Sequence, residues 1–110
     1  AAICSVRGGS KEQMGHACAM ALKNLMGLVC DPVAGLVEVP CVKRNVGGAV
    51  NALAAADMAL AGIASHIPVD QVIDAMGEVG MKMDVSLRET SMGGVATSPK
   101  GLEIAERLGM

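Results

Sequence analysis

The sequence predicts an all-α fold, a compact helical domain of about four helices with an ordered, proline-containing loop. Three observations predict it. Apolar residues return at three- and four-residue spacing in successive stretches, as expected of helices that turn one face to a core. Helix-start chemistry stands ahead of those stretches: Ser10 with Gln13 three residues on, Pro40, Pro68, and the pair Ser98-Pro99. No alternating pattern of strand type reaches comparable strength.

The first six residues are apolar apart from Ser5 and end at Arg7-Gly8-Gly9, which reads as the last turn of a helix followed by a glycine stop. The amino end therefore looks cut. Ser10 and Gln13 form a capping-box pattern, and Met14, Ala17, Cys18, Ala21, Leu22, Leu25 and Met26 supply an amphipathic stripe that closes near Gly27. Pro32 and Pro40 then push Asp31 and Val39 towards extended backbone, and Gly35 relaxes the middle, so the stretch from Cys30 to Cys41 reads as an ordered loop. Pro40 suits the first position of a second helix running through Asn45, Ala49, Leu53, Ala56 and Leu60 to Gly62. Its many Ala and Gly residues imply close contact on several sides. A third helix begins around Pro68 to Asp70, with Val69, Val72, Ile73 and Met76 on one side, and fades between Gly80 and Met83. Residues 86–97 are polar and glycine-rich and read as flexible, before a short last helix from Ser98-Pro99 through Leu108. There is no internal repeat and no linker, so residues 1–110 are expected to be one domain.

Composition narrows the function. Phe, Tyr and Trp are absent and Met is counted at 9, so the core must be built from thin or flexible aliphatic side chains. A formal charge of -2, without a basic cluster or an aromatic stacking platform, argues against nucleic acid as a partner. The most apolar stretch, residues 46–64, contains Asn51, Asp57 and three glycines, which argues against a membrane span. No secretory leader pattern opens the chain, so a cytoplasmic location is expected, with the four cysteines as reduced thiols or metal ligands rather than disulfides.

Cys30 and Cys41 stand at the two ends of the proline-restrained loop, with ten residues between them. Cys41 falls in the first turn of the second helix, where free N–H groups and the positive helix end favour the thiolate that a metal requires. Asp31, Glu38, Lys43 and Arg44 surround them in sequence. The spacing matches neither zinc knuckles nor ferredoxins, and three readings stay open on residues alone: inert buried thiols, a zinc site completed by His16 or His66, or an iron–sulfur site. Cys18, on the apolar stripe, and Cys4 read as packing groups. Lys43, Arg44 and Asn45 form a set that can attract and hydrogen-bond a carboxylate, and Arg88, Glu89 and Thr90 before Gly93-Gly94 can form a mobile substrate-side loop. Asp57, an acid within an apolar helix, is expected to be paired or to face a partner.

The run Asn24-Leu25-Met26-Gly27-Leu28-Val29-Cys30-Asp31-Pro32-Val33-Ala34-Gly35-Leu36-Val37-Glu38-Val39-Pro40-Cys41, followed by Lys43-Arg44-Asn45, resembles the signature of the iron–sulfur L-serine dehydratase alpha chain. Likeness continues through Ala55-Ala56-Asp57-Met58-Ala59-Leu60-Ala61-Gly62 and Arg88-Glu89-Thr90. The resemblance implies the carboxy-terminal part of that alpha chain, from an enzyme of amino-acid catabolism that converts L-serine to pyruvate and ammonia with a 4Fe-4S cluster. Such a cluster is held by three cysteines and keeps one iron open. Cys30 and Cys41 match two ligands. The third is expected upstream of Ala1, and neither Cys4 nor Cys18 matches its position, so the isolated piece is expected to lack the cluster. The remaining parts implied are a beta subunit or domain, an oligomeric assembly, and a catalytic base outside this chain; an open iron would act as a Lewis acid on the serine hydroxyl. The competing class is a helical interaction module whose cysteines hold no cluster.

Overall fold

Five α-helices form in the computed structural model, which describes residues 1–110: α1 (Ala2–Val6), α2 (Lys11–Leu25), α3 (Cys41–Leu60), α4 (Val69–Lys82) and α5 (Pro99–Arg107). Short 3-10 turns at Val33–Gly35, Val85–Leu87 and Gly94–Thr97 fill the connections, and there is no strand beyond one isolated bridge. The all-α expectation holds. The chain folds as two compact units, Ala1–Gly27 with Gly47–Met81, and Leu28–Val46 with Lys82–Met110.

In the first unit the local signals act as the sequence predicts. The Ser10 hydroxyl accepts from the Gln13 N–H at 3.1 Å while the Gln13 amide oxygen accepts from the Ser10 N–H at 2.9 Å, so two of the unpaired donors at the start of α2 are satisfied reciprocally. At the far end of α3, Gly62 adopts φ +90, its N–H reaches the Ala59 carbonyl, and the Ile63 N–H reaches Met58 at 2.9 Å. A left-handed glycine followed by a six-to-one bond is the Schellman arrangement, and only glycine enters it without strain.

The core of this unit consists of Cys4, Ala17, Met20, Ala55, Ala56 and Ala59, with Ile3, Met14 and Met58 against it. With no aromatic ring to fill space, the helices must approach closely, and alanine permits that approach. Polar side chains then tie neighbouring helices: Asn24 donates to Asn51, whose own amide donates to the Ala21 carbonyl at 3.0 Å, and Gln13 donates to the Ala59 carbonyl at 3.3 Å. The Asp57 carboxylate pairs with Arg7, on the exposed side of the helices. The stripe expected on α2 is buried or half-buried along its length, with Ala17 in the core and Cys18 half-buried, and Ala19 and Met20 are buried as well. The close contact expected on several sides of α3 is confined to its second half, around Ala55, Ala56 and Ala59. Gly47 and Gly48 have open space beside them, and Val42, Val46 and Val50 are 55%, 62% and 60% exposed. No helix is long and apolar enough to cross a membrane.

The second unit holds little helix: the first turns of α3, and α5. Ser98 caps α5 by accepting from the Gly101 N–H at 3.2 Å, with Pro99 at the first helical position. Gly101 is buried, and a Cβ there would lie 2.4 Å from the Val95 carbonyl oxygen, so α5 seats directly on the preceding backbone. Its buried residues are Asp31, Pro32, Val33, Ala96 and Gly101, of which Asp31 is charged.

Candidate functional site

The loop between the two candidate ligands folds back on itself. Pro32 precedes a 3-10 turn in which Ala34 takes φ 55, and the Val33 N–H then donates to the Val39 carbonyl at 2.9 Å, pinching the loop three residues after Cys30 and two before Cys41. Just ahead of α3 the Val39–Pro40 peptide bond is cis, and the Pro40 carbonyl accepts from the Arg44 N–H at 3.0 Å. Arg44, three residues beyond Cys41, completes the closure. Its Nη1 donates to the Val29 carbonyl at 2.6 Å and to Asp31 Oδ1 at 2.7 Å, so one guanidinium nitrogen grips both neighbours of Cys30. Cys30 and Cys41 are both free and half-buried.

The backbone of Cys30 is equally fixed. Its N–H donates to the Leu87 carbonyl at 2.9 Å, and its carbonyl accepts from the Glu89 N–H at 2.8 Å, giving a parallel bridge to Arg88. Ser91 donates its hydroxyl to the Pro32 carbonyl at 2.6 Å, and the Val95 N–H donates to Asp31 Oδ2 at 2.7 Å. Residues 86–97, which read as flexible from their composition, are thus tied to the cysteine loop along its length. Glycine matters at one point here: a Cβ on Gly94, whose φ is +61, would stand 2.1 Å from Asp31 Oδ2. The Gly93-Gly94 pair permits the backbone to close over a carboxylate. Two other residues of the segment, Glu89 and Ser91, hold positive φ without being glycine, a conformation that survives only where surrounding contacts enforce it.

Charge follows this geometry. Asp31 is 2% exposed, and burial acts to raise its pKa, yet the bonds from the Val95 N–H and the Arg44 guanidinium outweigh it and hold the carboxyl below the usual carboxylate range. The Cys30 thiol is pushed up, by burial first and then by the negative charges of Glu89, Cys41 and Asp31, with Arg44 opposing. At neutral pH the Cys30 thiol therefore carries its proton.

Among the other residues singled out by sequence, Lys43 and Asn45 are exposed on the first turns of α3, and Asn45 donates its amide to the Cys41 carbonyl at 2.8 Å. Arg44 is 37% exposed, and its Nε and Nη2 edge makes no hydrogen bond within the protein. Cys4 is fully buried and Cys18 half-buried in the first unit. His16 accepts the Ser65 N–H at Nδ1, at 3.1 Å. No three His, Cys, Asp or Glu side chains converge as a metal site. Sequence reasoning placed Asp31 near the site without seeing that it organises it; the available signal was a glycine pair far along the chain, for which no charged partner could be chosen in advance.

The chain matches the family described as "Serine dehydratase alpha chain" over residues 1–96. It is 60% identical over 108 residues to the "Probable L-serine dehydratase, alpha chain" of Bacillus subtilis (strain 168), a match covering 98% of this chain and 36% of that protein. The protein of the same name from Latilactobacillus sakei is 59% identical, over 94% of this chain and 50% of its own length. "L-serine dehydratase 1" of Escherichia coli (strain K12) is 44% identical, over 87% of this chain and 21% of its own. The chain thus spans between a fifth and a half of the length of these relatives.

Proposed function

Because the chain belongs to the serine dehydratase alpha chain family, we propose that it is part of an iron–sulfur lyase that deaminates L-serine to pyruvate and ammonia, to which it contributes the thiolates of Cys30 and Cys41. One observation carries this reading: the Arg44 guanidinium, on the first turn of the helix that Cys41 opens, bonds to the residues on either side of Cys30. That closure draws together the two ends of a loop that would otherwise separate two soft sulfur donors.

The donor set suits the group. Two half-buried thiols without a disulfide are the ligand type that iron–sulfur clusters take. On this reading the remaining cysteine is supplied from upstream alpha-chain sequence, and a beta subunit or domain completes the assembly. When bound, a 4Fe-4S cluster with one open iron supplies Lewis acidity to ease departure of the serine hydroxyl. The rest falls to the protein. Nε and Nη2 of Arg44 form a planar two-donor edge matched to the serine carboxylate, and Nη1 is already fixed, so little side-chain freedom is lost on binding. Lys43 adds positive charge beside it, and Asn45 keeps one amide N–H for the same carboxylate. The reducing cytoplasm is the compartment that keeps such thiols available.

The test is anaerobic expression of the full-length enzyme with ample iron. A brown protein with broad visible absorption and serine-dependent pyruvate formation is expected. A colourless protein without lyase activity would select the second reading, a helical interaction module without a cluster, which the exposed Val42, Val46 and Val50 of α3 favour.

A further inference from the structure

We propose that Asp31 is a positioning residue for substrate: its two carboxylate oxygens hold the Arg44 guanidinium and the residue 93–95 backbone in one arrangement, so that the outer edge of Arg44 is aimed before serine arrives. The inference rests on the reading of Arg44 as the carboxylate-binding group and deepens it.

A carboxylate removed from water this completely persists only where it is paired and its lone pairs are used. Asp31 meets both conditions with partners on two different elements. Oδ1 faces Arg44 Nη1 at 2.7 Å on α3, and Oδ2 faces the Val95 N–H at 2.7 Å in the turn that follows Gly94. The second bond is made possible by backbone without a Cβ, since any side chain at position 94 would collide with Oδ2. The first is reinforced by the Val29 carbonyl, which takes the other Nη1 hydrogen at 2.6 Å. With both hydrogens of one nitrogen committed, the plane of the guanidinium is set, and with it the direction in which Nε and Nη2 project. Arginine needs this support, because an unpinned fork rotates about several bonds and must be ordered by the ligand itself.

Asparagine at position 31 keeps the shape but cannot accept from both donors. Whichever way its amide turns, an NH2 group faces either Arg44 or the Val95 N–H. Asp31→Asn in the full-length enzyme should therefore raise KM for L-serine roughly tenfold to a hundredfold, the range expected for a charge-assisted hydrogen bond, while kcat moves far less. Iron per protein and the visible absorption of the cluster should stay at the wild-type level. Arg44→Lys, which can still pair with Asp31 but offers no second edge, should give a similar KM, and the double variant should be no worse than Arg44→Lys alone. Lys100→Ala, which removes the exposed Lys100–Glu103 pair, is the control and should change neither parameter.

An Asp31→Asn enzyme with full iron and an unchanged KM overturns the proposal and leaves the cluster assignment standing. Loss of iron in that variant also overturns it, because Asp31 would then serve cluster retention instead of aiming Arg44. If Asp31→Asn does not fold, Arg44→Lys decides: a normal KM there removes the group that Asp31 is said to aim. Iron retained after Cys41→Ala is a separate failure, of the ligand assignment itself.

Discussion

Residues 1–27 and 47–81 bury alanine, methionine and one cysteine between helices, with amides tying the rims. Residues 28–46 and 82–110 instead close around a single carboxylate, which reaches Arg44 on one side and the Val95 backbone on the other. The first arrangement is non-directional and tolerates shape-conserving change; the second is directional, and each partner left alone is a buried polar group without a mate. Rigidity is placed accordingly. The helical unit is a scaffold, while the unit carrying both candidate ligands gains its order from hydrogen bonds whose geometry a ligand site can use.

The strongest way to break that contrast is to remove the hub. Asp31→Ala should destabilise the second unit by about 3 kcal/mol or more, because Arg44 and the Val95 N–H both lose a charge-assisted partner. Hydrogen exchange should report the loss at the Cys30, Glu89 and Val95 amides, with α2 amides unaffected. Met20→Ala is the counterpart in the scaffold and should cost roughly 2 to 3 kcal/mol, the lower part of the range for such truncations, since Met adapts and its neighbours are small. Denaturant titration of the two variants measures both. Ala56→Leu inserts volume where alanine is completely buried and should cost about 1 to 3 kcal/mol. At the bottom of the scale, Arg7→Ala removes an exposed ion pair and should change stability by less than about 1 kcal/mol, an effect that salt erases.

Acid should act on the two units differently. The Asp31 pKa is lowered in the folded protein, so its contribution is complete above the unfolded carboxylate value near 4 and drains away as pH falls through the folded value. In metal-free protein, the second unit should open first on acidification below about pH 4, before the apolar core of the first. Simultaneous loss of protection in both units, at one pH, would show that the hub does not stabilise its own unit preferentially.

The scaffold was legible because its information is local. Ser10 and Gln13 are three residues apart and cap a helix wherever it goes, and the recurrence of Ala, Leu and Met states the helical period directly. Pro32, Pro40 and the two cysteines likewise marked an ordered loop. The frame around the loop was not legible in the same way, since Asp31 meets Val95 across 64 positions and Arg44 across 13, and no periodicity encodes either pairing. Residues 86–97 read as flexible because polar and glycine residues usually do. Gly94 is there to admit a carboxylate, a use that composition does not distinguish from a hinge. Arg44 was singled out for its charge, but the division of its fork between Nη1 and the outer edge belongs to the fold alone.

Iron quantification after anaerobic reconstitution of the full-length enzyme, with Cys30→Ala, Cys41→Ala and Cys18→Ala compared side by side, tests whether Cys30 and Cys41 hold the cluster. The first two should lose the cluster and its visible absorption while Cys18→Ala retains both. Full iron and wild-type absorption in either the Cys30 or the Cys41 variant would contradict that assignment.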